Sequence, residues 1–581
     1  MQEIIAKVKL TIKDLYDLDF DPEITPAPEN LDADYSTNAP LKLAKELYKS
    51  PMAIAEELNR ELNAEISAPG FLNFKLSDEF LNEEINNLSN DFNDRIASDK
   101  FAGKTVICEF SDPNPFKVLH VGHLYTSIVG DSIGKLFEYA GAKVIRANFG
   151  GDVGLHVAKT MYILQQKSLD NLTIEDIARC YVEGTAVYED DPNAKAEIDS
   201  LNQEIYRINA ENIHDAHLAN LYWKGRELSY EYFNNFYDSI GVKFDKYYPE
   251  SSVAALGLKT VKEQLEKGVY EMSDGAVIFN GEKYGLHTRV FINQKGVPTY
   301  ETKDVGLIFT KWDDYHFDKS VIITASEQLE YMKVVLKSIE QYAPELVEKT
   351  SHLTHGLVRL PGNVKMASRK GNFLKAIDVL NMVKDELKSA YDSSDDKVSL
   401  AATKYAFLKY KMGGNIIFDP KESVKMTGNS GPYLLYSAVR AKKILAKSLA
   451  QTEGSGKSES FAKSEGLETV SREGYDPSEV SEARDDGPER TGSRELQMSE
   501  RSLIKKILGY KGVLEEAVAE MSPHKVANYL YELAQEFSRF YESCPVIGCD
   551  HEAERIKLVK VYLETMTHGL NILGIKIPEE M

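Results

Sequence analysis

Between residues 105 and 148 the apolar positions change period twice. Thr105–Phe110 is a short apolar run of strand length. Leu124, Ile128, Ile133, Phe137 and Ala140 then recur at helical spacing, and Gly141 closes that helix. Lys143–Asn148 returns to a strand pattern. Strand, tight loop, helix, strand is half of a nucleotide-binding parallel sheet.

The flanking regions read differently. Leu41–Leu47 and Met52–Leu62 have helical periodicity, and Glu65–Leu76 reads as strand, turn, strand about Pro69-Gly70. Residues 1–100 are therefore expected to form a small α+β module. From about 160 to 290 the pattern is helix-rich and charged, as for an insertion between two halves of a sheet. Thr288–Asn293 and Ser320–Ala325 are expected to be strands of the second half. From 386 to 581 the chain reads as all-helical, with Tyr529, Leu530, Leu533, Phe537, Phe540 and Tyr541 on one face. The one interruption is 452–500, rich in Gly, Ser and Glu, which reads as a disordered insertion. The expected fold class is α/β. A Rossmann-type parallel sheet over 101–385 stands between the α+β module and the helical region.

Composition narrows the class. A chain of 581 residues is too long for one core. With 43% hydrophobic and 28% charged residues it reads as soluble and globular, and no apolar run approaches the roughly 18 residues of a membrane helix. The first twenty residues lack a signal-peptide pattern. Four scattered cysteines make no disulfide framework, and the Cys544/Cys549 pair has no second ligand pair beside it, so no metal site is expected. A reducing cytoplasm fits. The net charge of −22 argues against indiscriminate nucleic-acid binding. Residues 452–500 hold 13 acidic and 6 basic side chains, about a third of that excess, so the remaining surface is less acidic.

The candidate chemistry lies at the start of the 124–140 helix. Gly103-Lys104-Thr105 resembles the tail of a P-loop, but Ser98 stands where the loop needs glycine. The tetrapeptide His120-Val121-Gly122-His123 is the better phosphate site. A helix N-terminus there aims N–H groups and a positive dipole end at an anion. Gly122 permits close approach, and Lys117 adds a charge. A second basic loop, Gly362–Asn372, carries Lys365, Met366, Arg369 and Lys370. These features point to ATP.

That pair of motifs resembles the class I aminoacyl-tRNA synthetases, with HVGH for their first signature and Lys365-Met366-Ala367-Ser368-Arg369 for the second, KMSKS. Within the class the chain resembles the arginyl-tRNA synthetases. Glu109–Leu124 follows their pattern EFSSPN-x-x-K-x-x-HVGHL. Val144–Asn148, Gly151-Asp152-x-Gly154, Tyr300-x-x-x-Asp304, Gly428–Leu434 and Pro523–Ala534 add to the likeness. It covers nearly the whole chain apart from 452–500.

The resemblance implies an arginine–tRNA ligase that forms arginyl-adenylate from L-arginine and ATP, the latter with Mg²⁺ held largely by its phosphates, then passes the arginyl group to tRNA(Arg). It implies catalytic roles for Lys117, His120, His123 and Lys365. ATP contacts would come from His120, Gly122, His123, Lys365, Met366, Arg369 and Lys370. Arginine contacts would come from Glu109, Ser111, Asn114, Asp152, Tyr300, Asp304 and Gln328. The N-terminal module would read the tRNA elbow through Phe71 and Asn73. The helical region would bind the anticodon through Arg440 and Lys443, with Arg501, Lys505 and Lys506 nearby in sequence. The family generally works as a monomer and requires tRNA for activation. One departure matters: Ser368 occupies the place of the second KMSKS lysine, and Lys117 stands where arginyl enzymes lacking that lysine are thought to carry a substitute. Three other readings stay open on sequence alone: another class I synthetase, a non-catalytic tRNA-binding paralogue and a small-molecule nucleotidyltransferase of the same superfamily. The acidic set with Asp304 favours a cationic amino acid, and the intact HVGH with Lys117 favours catalysis.

Overall fold

The computed structural model describes residues 2–28, 31–167, 172–362, 374–454 and 494–581. The chain divides into two compact units, residues 1–90 with 457–505 and residues 91–456 with 506–581.

The first unit opens with helix α1 (Gln2–Tyr16). Strands β1 (Ile24–Pro26) and β2 (Tyr35–Thr37) follow, then helices α2 (Ala39–Leu47) and α3 (Pro51–Leu62). Strands β3 (Glu65–Ser67) and β4 (Phe71–Phe74) complete a sheet of order β1-β2-β4-β3. Its pairings are antiparallel. Val8, Ile12, Leu43, Ile54, Leu58 and Leu72 close its core. The helix pair and the hairpin fall where the periodicity places them. Pro51 sits in the first turn of α3, where a missing N–H costs nothing, and Ser50 caps that helix.

Helix α4 (Asp78–Ile96) carries a non-helical residue, Asp91, at the boundary of the units. The second unit is built on a five-stranded sheet. Its strands are β5 (Thr105–Glu109), β6 (Lys143–Gly150), β7 (Lys246–Pro249), β11 (Lys319–Ala325) and β12 (Thr350–His355). The order β12-β11-β5-β6-β7 is parallel throughout. This is a doubly wound sheet whose direction of winding reverses between β5 and β11. Ligands of such sheets bind at the carboxyl ends of the strands beside that switch point. Helix α5 (Val121–Tyr139) follows β5 and is buried along nearly its whole length, with Gly141 in the left-handed region just beyond its end.

The segment from 155 to 315 contributes α6 (Leu155–Leu164), α7 (Ile174–Asp190), α8 (Pro192–Ala210), α9 (His217–Ile240) and, after β7, α10 (Glu250–Glu266). Strands β8 (Glu271–Ser273), β9 (Ala276–Phe279) and β10 (Arg289–Ile292) form a small antiparallel sheet, and α11 (Tyr300–Tyr315) follows. Two expectations are corrected here. The strand near 288–293 belongs to this small sheet and not to the second half of the parallel one. The helical insertion also returns a strand, β7, to the parallel sheet. Lys246-Tyr247-Tyr248-Pro249 lacks the aliphatic run of a central strand because it is an edge.

Past β11 come α12 (Leu329–Glu340), α13 (Pro344–Glu348) and the short strand β13 (Val358–Arg359). Then follow α14 (Ala376–Tyr391), α15 (Asp396–Leu408), β14 (Ile416–Ile417), α16 (Pro420–Ser423) and α17 (Gly431–Gly454). The helical expectation for this part needs one amendment, the β13–β14 pair. After 494 come α18 (Met498–Leu508), α19 (Tyr510–Glu520), α20 (Pro523–Ser543) and α21 (Glu552–Ile572). Most of the expected insertion, residues 455–493, lies outside the described residues. Its last part does not follow the linker reading. Arg494 pairs with Glu500, and the Leu496 amide donates to Asp78 at 2.8 Å. On α20, Tyr529, Leu530, Leu533, Phe537 and Phe540 are buried as a face, whereas Tyr541 points outward.

Candidate active site

The loop from β5 to α5 is held in an unusual conformation. Ser111, Asp112 and Phe116 all have positive φ, at 73°, 49° and 67°. Side chains turned to such residues cost of order 1 kcal/mol each and need support. The support is visible. Ser111 Oγ meets Tyr237 Oη at 2.8 Å, and Asp112 accepts the Phe149 amide at 2.7 Å. The Phe116 amide donates to Ser229 at 2.9 Å. Asn114 Oδ1 accepts from the Gly151 amide at 2.8 Å. The loop is thereby fastened to β6 and α9.

It delivers two histidines to the N-terminus of α5. His120 is the N-cap, and its Nδ1 accepts the Gly122 amide at 3.1 Å. His123 Nδ1 accepts the His120 amide at 3.1 Å, so the pair forms a capping box. The rings stack with centroids 3.8 Å apart. Because both Nδ1 atoms accept, both Nε2 atoms carry the proton. Enclosure by protein and then Lys117 push His120 down to about 4, although an edge of the ring stays open to solvent. Burial, then His120 and Lys117, hold His123 well below the usual range. Two neutral Nε2–H donors suit phosphate oxygens. A Cβ on Gly122 would stand 2.9 Å from the His120 ring, so glycine is what lets that ring fold over the helix start.

The basic loop, with Lys365, Met366, Ser368, Arg369 and Lys370, lies outside the described residues, which resume at Leu374. Its exit is nevertheless fixed. The Val121 amide donates to Leu374 O, and the Ala376 amide to Leu119 O, both at 2.9 Å. Residues 374–376 thus pair with 119–121 beside the histidines. Lys117 lies over the Tyr181 ring at 4.4 Å, in reach to depress both histidines.

Across the sheet, α11 brings acids to the same end. Asp304 is 8% exposed and accepts from the Tyr331 hydroxyl. Burial, with the charges of Glu109, Glu250 and Glu301, pushes its carboxyl up to about 8. No cation pairs with it among the described residues. The neighbouring acids differ in this respect: Glu109 is paired with Lys311 at 2.5 Å and Glu250 with Lys303 at 2.5 Å. Glu301 has Arg289 at 3.6 Å. Asp304 is a buried acid with no cation of its own, open to being neutralised from outside. Tyr300 is 57% exposed at the start of α11, and Gln328 is exposed just past β11.

Asp152 is a correction. It is fully buried and bound to Arg226 Nε at 2.9 Å, Ser251 Oγ at 2.7 Å and the Ser251 amide at 2.9 Å. The guanidinium it holds belongs to this chain, and both its oxygens are occupied. Asp152→Ala is therefore expected to lower stability by about 3 kcal/mol, leaving Arg226 unpaired, while the arginine KM of folded enzyme stays unchanged. A urea titration beside arginine saturation curves checks this.

Sequence reasoning missed Tyr331, Lys303, Lys311 and Tyr181. One signal was present for Lys311. It follows Asp304 by seven residues, two helical turns, and so shares its face.

For RNA, Asn73 is also corrected. It is 2% exposed, and its amide donates to Ser67 at 2.9 Å, so it offers no edge to a base. Phe71 is half-buried at the start of β4. Arg501 and Lys505 are tied to Asp34 at 2.9 and 2.7 Å, and Lys506 to Glu532, so these cations are spent on the protein. Arg440 and Lys443 instead line a groove of about 520 Å³ with Tyr436, Lys447, Tyr541 and Met581. The Arg440 guanidinium lies 4.7 Å from the Tyr436 ring and 5.0 Å from that of Tyr541.

Comparison with known proteins identifies the family. The family described as tRNA synthetases class I (R), catalytic domain, matches residues 85–419. The arginyl tRNA synthetase N terminal domain matches 2–76, and the DALR anticodon binding domain matches 434–581. The chain is 28% identical to the arginine--tRNA ligase of Fusobacterium nucleatum, over 96% of this chain and 95% of that one. It is 26% identical to that of Clostridium perfringens, with the same coverage. The fold matches Thermus thermophilus arginyl-tRNA synthetase with a TM-score of 0.74 at 22% identity, covering all of both chains. The Plasmodium falciparum enzyme matches equally, at 20% identity over 100% of this chain and 99% of that one. With its catalytic region matched from 85 to 419, the chain belongs to the class I arginyl-tRNA synthetases.

Proposed function

We propose that this chain attaches L-arginine to tRNA(Arg) using ATP, and that both small substrates meet between the α5 mouth and Asp304. The observation that carries the reading is Asp304, a buried carboxyl without a cationic partner among the described residues, set among other acids. A guanidinium with its planar fork is the natural complement.

The arginine carboxylate attacks the α-phosphate of ATP, giving arginyl-adenylate and pyrophosphate. Negative charge spreads over the phosphate oxygens as this happens. The Nε2–H groups of His120 and His123 and the ammonium of Lys117 meet that charge. Mg²⁺ enters with ATP. Imidazole donors and an ammonium suit phosphate oxygens and leave the ion to the nucleotide itself, where it neutralises phosphate charge. The 3′-terminal ribose hydroxyl of the tRNA then attacks the activated carbonyl, and AMP leaves.

The helical region binds the anticodon through the Arg440 groove. A base stacked there among Tyr436, Tyr541 and the guanidinium contributes about 1–3 kcal/mol. Arg440→Ala is therefore expected to raise the KM for tRNA roughly tenfold without changing the KM for arginine. Of the two N-terminal candidates only Phe71 presents surface for the tRNA elbow. No helix among the described residues is long and apolar enough to cross a membrane, and all four thiols are free. Free thiols accord with a reducing compartment, and we read the enzyme as a cytoplasmic monomer.

The deciding experiment is a charging assay on unfractionated tRNA with each amino acid supplied singly. Arginine alone is expected to label tRNA. Labelling by a different amino acid, or by none, contradicts the reading.

A further inference from the structure

The ammonium of Lys117 forms no ion pair among the described residues. It lies over the Tyr181 ring, 4.4 Å from the centroid. An aromatic face attracts a cation without neutralising it and leaves N–H donors for a substrate. A carboxylate in that place would hold the lysine more tightly, but it would cancel the charge and repel the phosphates of ATP. For a lysine whose work is to meet developing negative charge, a ring is the anchor that keeps the charge available.

Both partners are firmly mounted. Phe116, next to Lys117, is fully buried in the core of the helical insertion and stacks on Tyr222 with centroids 5.8 Å apart. Its amide is held by Ser229, so the base of the Lys117 side chain is fixed. On the other side, Ile177 and Cys180 of α7 belong to the same core. Tyr181 follows Cys180 at the edge of that face and is half-buried. Gly184 lets α7 lie against α6, because a Cβ there would run into the carbonyl of Lys159. A capping box between Thr173 and Asp176 fixes the start of α7. The ring therefore rides on a helix packed on the core that anchors the loop. Its distance from the ammonium is set by packing and not by the flexible lysine stem.

The surroundings show where this places the charge. His156, at the start of α6, is held well below its usual range by burial and then by Lys117. His120 and His123 feel the same ammonium. The Tyr300 phenol is raised by burial first, then by Glu250, with smaller contributions from Tyr206 and Tyr181. Tyr181 thus borders both the α5 mouth and the start of α11.

We propose that Tyr181 is a positioning residue for arginine activation: its ring holds the Lys117 ammonium at the α5 mouth with its charge unspent, and it acts on the reaction through that lysine. This rests on the reading of Lys117 as a charge that meets the α-phosphate.

The test is arginine-dependent ATP–pyrophosphate exchange by the full-length enzyme with tRNA(Arg) present, resolved into kcat and the two KM values. Tyr181→Leu is expected to lower kcat about tenfold, with the KM for arginine and for ATP within about twofold of wild type. Tyr181→Phe keeps the ring and is expected to retain about half of the rate or more. In the Lys117→Met background, Tyr181→Leu is expected to cost less than about twofold, because no ammonium is left to place. A purely structural role raises a KM or costs the same factor in both backgrounds, and either result overturns the proposal. So does a wild-type kcat in Tyr181→Leu while Lys117→Met is slow. Tyr181→Met carries the same expectations and serves if Tyr181→Leu does not fold. Lys117→Met at the wild-type rate removes the lysine on which the proposal stands; wild-type enzyme without exchange contradicts the functional reading itself.

Discussion

Asp304→Asn is expected to lower kcat/KM for arginine by about a hundredfold or more, while ATP binding persists. The size follows from removing one partner of a buried, hydrogen-bonded charge pair, about 3 kcal/mol. Glu109, Glu250 and Glu301 do not compensate, because each already has a cation. The same residue gives a pH signature. Without arginine the Asp304 carboxyl is protonated below about pH 8, and the guanidinium recruits the ionised form. Arginine affinity therefore rises with pH, by up to tenfold per unit, and levels off near pH 8. The asparagine variant loses that slope. Calorimetric titrations between pH 6 and 8.5 check both points. An unaltered slope in the variant assigns the titration elsewhere.

Lys117→Met is expected to lower kcat for activation by roughly 10²–10³-fold with little change in the arginine KM, since its charge acts where phosphate charge develops. His120 and His123 are held neutral by burial and by Lys117, so they donate hydrogen bonds without supplying positive charge. Lys117 brings a full charge to the α5 mouth, close enough to depress both histidines. The second loop carries Ser368 in place of a lysine, which raises the demand on Lys117. Single-turnover measurement of adenylate formation separates this effect from product release. Wild-type activity in the variant removes Lys117 from the mechanism.

Strands β5, β6 and β11, helix α5 and the helix start at HVGH were legible in the sequence because each has a local signature: a strand-length apolar run, a helical period, a glycine-bearing tetrapeptide between strand and helix. Asp304 was legible only by resemblance, since its meaning depends on which acids nearby are already paired. Asp152 shows the limit. Its motif placed it near the substrate, but Arg226, 74 residues later, satisfies it. Asn73 fails for a related reason, because β4 is buried on both faces from Leu72 to Phe74 and the Asn73 amide donates to Ser67. The edge strand β7 was invisible because a short polar-aromatic strand has no run of its own. Local charge misled once: Arg501 and Lys505 looked like neighbours of an RNA face and are bound to Asp34, whereas Arg440 and Lys443, named in spite of a net charge of −22, do line a basic groove.

The account's central claim is that arginine and ATP react at the α5 mouth in an enzyme that charges tRNA. ATP–pyrophosphate exchange with purified enzyme, measured for arginine with and without tRNA(Arg), tests it most directly. Exchange that requires both arginine and tRNA is the predicted result. No exchange under any condition, or exchange driven by another amino acid, would contradict it.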